Sequence, residues 1–297
     1  MPLTTIWIIM RKVLITGGFG QLGRAIAYIA RGSKNAYIAL SSSEADICDE
    51  EGMEREITAH NADIIINCAA YTDVERAERD REAAERINHH GVATLARVCS
   101  RHGVKLIHIS TDYVFGNDEE RTAPYTTDDK TTPINSYGRS KAQGEVAALD
   151  VDGGVVIRTS WLYAPWGKNF CRTILHLATE QDEINVVDDQ RGTPTSALSL
   201  ARAIVELIDN NTIDNLAGIY HYTDAGEATW YDFACEIIRL GAMKCKVKPC
   251  TSAQRATAAA RPRYSVLDKS RIIAAGVTIR PWQETLKECI TLIETGK

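Results

Sequence analysis

Tyr137 and Lys141 stand four residues apart in the stretch NSYGRSKAQGE. On a helix that spacing puts the phenol and the ammonium on one face, one turn apart. A cation held there favours the phenolate and lowers the tyrosine from its ordinary value of ~10. Such a phenol can exchange a proton with a carbonyl oxygen as a general acid. Upstream, the apolar run KLIHIS closes on Ser110 and Thr111, where the Thr111 hydroxyl can bond and orient the same oxygen. Thr111, Tyr137 and Lys141 are therefore the candidate catalytic group, suited to reduction of a ketone by proton and hydride. His108 lies inside the strand pattern and reads as a satisfied core histidine rather than a base.

A hydride needs a carrier, and a second constellation supplies a place for one. Directly after the run KVLIT comes TGGFGQLG, which sets Gly17, Gly20 and Gly23 in a GxxGxxG pattern. Gly17 permits a tight turn, Gly20 lets the backbone approach a pyrophosphate, and Gly23 lets the following helix pack closely. The helix N-terminus then presents its free N–H groups to the phosphates. The spacing suits the short-chain dehydrogenase/reductase superfamily. The second strand ends in IALSSSEAD, with Ser41 where an NAD-selecting acid often sits. Serine does not repel a 2′-phosphate, so NADPH is admitted; no arginine stands nearby to clamp it, so NADH stays open. Asp46 and Ile47 would border the adenine. The small residues of NCAAYT, including Ala70 and Thr72, would let the cofactor lie close.

These groups require a scaffold that brings strand ends together. The runs KVLIT, AYIAL, DIIINCAA, KLIHIS and VVIRTS are near-continuously apolar, the pattern of strands covered on both faces. Helical segments are expected at 21–30, 49–60, 81–101 and 136–148. This alternation predicts an α/β fold, a doubly wound parallel sheet of Rossmann type. Beyond Trp161 the rhythm becomes irregular, with helices at 169–179 and 199–209, a strand in GIYHYT, and helices from Thr229 and Trp282. Residues 1–160 are read as the NAD(P)-binding Rossmann domain. Residues 161–297 are read as a smaller substrate-binding domain, partly interleaved with the end of the sheet.

Bulk properties exclude several classes. A net charge of −5 offers no general attraction to nucleic acid or to an anionic membrane surface. No apolar run approaches the ~18 residues of a spanning helix, and the opening MPLTTIWIIM lacks the basic leader of a signal peptide. Met10 is a plausible start, with residues 1–9 an extension. The eight cysteines are scattered without a CxxC pair, as for reduced thiols in a cytoplasmic protein.

The motifs GGFGQLG, INCAAYTDVERAE, STDYVF, YGRSKAQGE, RTSWLYAPWGKNF, DDQRGTPTSALSLA, GIYHYTDAGEATWYDFA and RPRYSVLDKSRI occur in that order. Over nearly the whole chain from Met10 they resemble the dTDP-4-dehydrorhamnose reductase family. The resemblance implies NAD(P)H-dependent reduction of the 4-keto group of dTDP-4-dehydro-β-L-rhamnose to dTDP-β-L-rhamnose. It further implies cofactor contacts from Gly20, Gln21, Leu22, Ser41, Asp46, Ile47, Ala70, Tyr71, Thr72, Tyr137 and Lys141. Thr111, Asp112 and Trp161 fall on sugar-contacting positions, the indole of Trp161 suiting the apolar face of a deoxyhexose. Core packing for Trp161 and a turn role for Asp112 remain open. Gln190, Thr193 and Thr195 offer groups to a nucleotide or pack a loop, and Arg261 either approaches a diphosphate or lies at the surface. Some family members dimerise around Mg²⁺ held by glutamates; here those places are Ala25 and Leu198, which cannot ligate a hard cation. No metal is therefore expected, and monomer and homodimer both stay open.

Two other functions compete. One is an epimerase or dehydratase of the same superfamily, although Thr111 is followed by Asp112 and Tyr113 rather than a dehydratase's Asp-Glu pair. The other is a non-catalytic subunit, like the regulatory partner of methionine adenosyltransferase. Such a role does not need the Thr111, Tyr137 and Lys141 that the chain retains.

Overall fold

The structure is a computed structural model that describes residues 10–255 and 257–296. The opening residues 1–9, read as an extension, lie outside it. Six strands form the main sheet: β1 (Lys12–Thr16), β2 (Ala36–Ala39), β3 (Ile64–Asn67), β4 (Lys105–Thr111), β5 (Val155–Thr159) and β6 (Gly218–His221). All neighbours are parallel, in the order β6-β5-β4-β3-β1-β2. The chain therefore reverses its direction of winding between β1 and β3, and a doubly wound sheet binds its ligands outside the strand ends at that switch.

Strand alternation explains the layers. Val13, Ile15, Ile64, Ile66, Val155 and Ile157 face one side, packed under helices α1 (Gln21–Ile29) and a later one at Ala197–Asp209. Leu14, Ile65 and Val156, the residues between them, face the other side with α2 (Glu50–His60) and α3 (Val92–His102). Both faces are thus covered, which is why these runs lack polar alternation. Val13, Leu14 and Ile15 are fully buried, worth roughly 1.5–3 kcal/mol each in burial.

The next helices are α4 (Ser136–Leu149), α5 (Phe170–Glu180), α6 (Ala197–Asp209), α7 (Trp230–Leu240) and α8 (Trp282–Thr295). Helix α6 and strand β6 come from the second half of the sequence yet pack on the main sheet. A separate cluster gathers Cys171 and Ile174 of α5, Phe233 and Ile237 of α7, and Leu286 and Ile290 of α8. Ala25 and Leu198 lie on the buried faces of α1 and α6, where they pack as apolar side chains.

The expected single helix over 81–101 is instead three pieces. A short helix at Arg81–Glu85 runs into a π-helical stretch at Arg86–Gly91 and then into α3. Such bulges often mark functional sites. Here it turns Asn88 inward, where its Oδ1 accepts from the Tyr71 amide at 2.8 Å and its Nδ2 donates to the Tyr71 carbonyl at 3.0 Å.

Candidate active site

The glycine loop follows β1 at the switch point. Gly17 adopts φ +62°, and a Cβ there would meet the Ala69 backbone at 2.7 Å. A Cβ on Gly23 would lie 2.5 Å from the Gly17 carbonyl oxygen, so this glycine lets α1 close onto the loop itself. Gly20 is different: a Cβ there would meet only the Gly17 oxygen, at 3.2 Å, leaving its outer side open. Gly20 is also the N-cap of α1 and offers no side-chain bond to the first turn, so those amides are free for an anion. Gln21 keeps its side-chain oxygen buried without a partner, while Leu22 is buried in the core. A cradle of this shape fits a dinucleotide. Gly18, absent from the sequence reading, is equally constrained, since a Cβ would press on Ala39 and Leu40 at 2.8 Å.

At the end of β2 the structure adds a neighbour to Ser41. Its hydroxyl donates to Glu44 Oε2 at 2.6 Å, and its amide donates to the same oxygen at 2.8 Å. A carboxylate therefore stands at this strand end after all, delivered three residues later by a turn; these bonds hold it below the ordinary carboxylate value. Asp46 accepts from the Cys48 amide and is exposed, whereas Ile47 is buried beside it. Ala70 and Tyr71 are half-buried and Thr72 exposed, all on the loop after β3.

Helix α4 is set by a dense N-terminus. Asn135 caps it by accepting from the Gly138 amide at 2.7 Å, and Glu78 accepts from the Ser136 amide at 2.6 Å. The Asn135 amide donates to the Ala260 carbonyl at 2.9 Å, tying this end to the C-terminal segment. Tyr137 is buried and meets Tyr113 edge to face with centroids 5.7 Å apart. Burial pushes its phenol up to about 12, against the pull of hydrogen bonding to Thr111. The Lys141 ammonium is committed elsewhere, to the Ile109 carbonyl at 2.6 Å and to His108 Nε2 at 3.2 Å. Burial pushes Lys141 down to about 8, while Glu145 and Cys68 pull it up.

Thr111 is buried, accepts from the Tyr113 amide at 3.2 Å and donates to Asp112 Oδ1 at 3.1 Å. Asp112 opens the short turn that follows β4. Burial pushes it up to about 7, with the Ser265 and Thr111 hydroxyls pulling down, and its Oδ2 has no aligned hydrogen-bond partner. Ser110 belongs to a different network. It donates to Glu145 Oε1, which with Oε2 also grips Arg158 at 2.8 and 2.7 Å in a fully buried ion pair.

Trp161 is half-buried after β5. It has φ +46°, stacks on Trp230 at 3.7 Å, and lies against Gly192, where a Cβ would meet the indole at 2.6 Å. One face of the indole is thus taken up by Trp230. The aromatic side chains lining the adjacent cavity of about 470 Å³ are Trp230 and Phe170, with Gln190, Glu75 and Arg261 on the polar side. Thr193 and Thr195 are buried and bond only nearby carbonyls, so they pack the loop. Arg261 pairs with Glu75 at 2.8 Å and leaves its buried Nε unpartnered. Among the described residues, no cluster of three or more His, Cys, Asp or Glu side chains could hold a metal, and no helix is long and apolar enough to cross a membrane.

The sequence reading missed Gly18, Glu44, Asn88 and Trp230. Only Asn88 and Glu44 left a trace, as polar residues inside otherwise ordinary helix and turn patterns.

Residues 10–295 match the family described as the RmlD substrate binding domain. The chain is 40% identical over 288 residues to a dTDP-4-keto-6-deoxy-D-glucose reductase from Streptomyces niveus, covering 96% of this chain and 98% of that one. It is 39% identical to a dTDP-4-dehydrorhamnose reductase from Mycolicibacterium smegmatis, covering 96% and 87%. Among solved structures, a dTDP-4-dehydrorhamnose reductase from Bacillus anthracis in complex with NADP superposes with a TM-score of 0.88 at 34% identity, over 95% of this chain and 99% of that one. A Rossmann cradle beside a Thr-Tyr-Lys group, carried on a chain alike from end to end, leaves one assignment: the protein belongs to the dTDP-4-dehydrorhamnose reductase family.

Proposed function

We propose that the protein reduces the 4-keto group of dTDP-4-dehydro-β-L-rhamnose, with NADPH as hydride donor, to give dTDP-β-L-rhamnose. The observation that carries this reading is the buried Tyr137 phenol beside Thr111, on a helix tied to the edge of the 470 Å³ cavity through Asn135. When bound, the reduced nicotinamide supplies a hydride to the carbonyl carbon. The chain's own residues supply the rest. Thr111 orients the carbonyl oxygen with its hydroxyl, and Tyr137 donates its proton to that oxygen as the alcohol forms, becoming a phenolate that regains a proton before the next cycle. The glycine loop and Gln21 would hold the pyrophosphate, and Trp230 with Phe170 would receive the nucleotide arm.

Glu44 beside Ser41 bears on cofactor choice. Its carboxylate opposes a 2′-phosphate and tolerates a ribose hydroxyl, so NADH is accepted as well as NADPH. The relative from Bacillus anthracis supports NADPH.

The test supplies dTDP-4-dehydro-β-L-rhamnose and follows oxidation of NADPH and NADH. Turnover of the L-sugar supports the reading. Turnover only of a D-configured 4-keto-6-deoxy sugar nucleotide would move the assignment toward the activity named for the Streptomyces niveus relative. Tyr137→Phe should cut turnover by ~10²-fold or more while keeping cofactor affinity; undiminished turnover would remove Tyr137 from its role.

A further inference from the structure

Among the described residues, Glu145 and Arg158 form the one ion pair in which both side chains are buried. The pair is bidentate: Arg158 Nε donates to Glu145 Oε1 at 2.8 Å and Nη2 donates to Oε2 at 2.7 Å. The rest of the guanidinium is also enclosed. Its Nη1 lies 3.4 Å from His221 Nε2, and its central carbon sits 5.0 Å from the centre of the Phe115 ring. His221 Nδ1 faces the Asp268 carbonyl at 3.1 Å. A carbonyl only accepts, so the ring hydrogen is on Nδ1 and Nε2 accepts from Arg158. Such a pair is a poor source of stability, because desolvation of the two charges offsets their attraction. What a bidentate fork does supply is a fixed geometry.

The geometry is fixed next to the reacting groups. Ser110, Arg158 and His221 are register partners across β4, β5 and β6, so their side chains point to one face of the sheet. Glu145 reaches that face from α4, where its Oε1 also accepts from the Ser110 hydroxyl. One carboxylate thereby holds two neighbouring strands, and Ser110 directly precedes Thr111. On α4, Tyr137, Lys141 and Glu145 follow one another at four-residue spacing and share a stripe. The other buried residues of this helix are Ser136, Gly138, Ser140, Gly144 and Ala148. Short side chains let a helix approach closely but interlock little along its axis. Lys141 reaches the Ile109 carbonyl through a flexible four-carbon stem. The rigid fork at Glu145 is therefore the contact that decides where α4 stops along β4.

We propose that Glu145, gripped by Arg158 and Ser110, is a positioning residue that sets the register of α4 against β4, and with it the separation of the Tyr137 phenol from the Thr111 hydroxyl. The consequence for turnover rests on the reductase reading above, whereas the separation itself does not. A misplacement of about 1 Å at reacting groups costs on the order of 10²-fold in rate. The glycine loop and the cavity that receives the nucleotide arm lie outside this contact, so binding is left as it was.

The test removes the clamp without leaving a lone buried charge or an unpaired hydroxyl. Glu145→Leu, Arg158→Met and Ser110→Ala together should keep a Tm near that of the wild type. They should lower kcat by about 10²-fold with KM for NADPH and for the sugar nucleotide unchanged. In the crystal structure of this triple variant, with no substrate present, the Tyr137 hydroxyl should stand about 1 Å farther from Thr111 Oγ1 than in the wild type. Arg158→Lys keeps the charge and loses the fork, and should show the same fall in kcat at constant KM to a smaller degree. An unmoved phenol or an unchanged kcat in the triple variant overturns the proposal. Activity that falls only with the folded fraction, the folded molecules turning over at the wild-type rate, marks a merely structural clamp and overturns it as well. Should the triple variant fail to fold, Arg158→Lys decides by the same two readings. Failure of the wild type to reduce the L-sugar would count against the substrate assignment only, since the separation is read without substrate.

Discussion

At the scale of single residues, burial rather than charge governs the site. Asp112 and Tyr137 are both raised, to about 7 and about 12, with desolvation the leading cause in each. For Asp112 the consequence is measurable in stability. Its folded value lies above the ~3.9 of an unfolded chain, so the folded state binds the proton more tightly. Stability from this group is therefore greatest at low pH and is lost as pH rises from about 4 through 7. Relative to Asp112→Asn, the wild type should lose stability across that window in urea unfolding. A difference that stays flat or grows the other way would contradict the assignment. Glu44 yields a second expectation. Glu44→Ala removes a carboxylate that bonds Ser41 at 2.6 Å, and should raise the kcat/KM ratio of NADPH over NADH by about fivefold as exposed repulsion is lost. An unchanged ratio in steady-state assays would show that this strand end does not read the ribose.

At the scale of elements, α4 is positioned by close approach as much as by its cap. A Cβ on Gly138 would strike the Tyr113 carbonyl, and one on Gly144 would strike the Asn88 carbonyl inside the π-helical stretch. These two glycines bracket Lys141 and let the helix lie directly against backbone. Gly144→Ala should force α4 away from Asn88, at a cost on the order of 1–3 kcal/mol. Thermal unfolding should show a lower Tm together with reduced turnover, because Tyr137 rides on the same helix. A variant with wild-type Tm would mean the helix has room that the structure denies it. Asn88 explains why the π-helical stretch persists: the same side chain that holds both sides of the Tyr71 peptide also donates to Ser140 on α4 at 3.1 Å.

At the scale of the whole molecule, the cavity is closed by contacts between distant parts of the chain. Glu75 accepts from the Ala258 and Ala259 amides at 2.8 and 3.2 Å and pairs with Arg261. It fastens the 257–261 segment over the loop that follows β3. At the glycine loop Trp166 donates to the Gln21 carbonyl at 3.0 Å, bringing the 164–168 segment onto the start of α1. Glu75→Ala should raise KM for the nucleotide sugar by about tenfold, equivalent to ~1.4 kcal/mol, with kcat and cofactor affinity little changed. Equal losses in kcat and kcat/KM would instead place Glu75 in transition-state stabilisation.

What the sequence determined by itself was whatever depends on near neighbours. The doubly covered strands, the GxxGxxG turn at Gly17, Gly20 and Gly23, and the helical spacing of Tyr137 and Lys141 are properties of a few consecutive residues. Backbone sterics and side-chain periodicity are enough to specify them. Tertiary structure decided which groups meet across long separations. It set Lys141 against His108 and the Ile109 carbonyl, and it covered Trp161 with Trp230 so that Trp230 faces the cavity. It also carried Glu44 onto Ser41. Proton affinity and exposure are set by burial and by partners that only the folded chain brings within reach, so no local spacing could have given them.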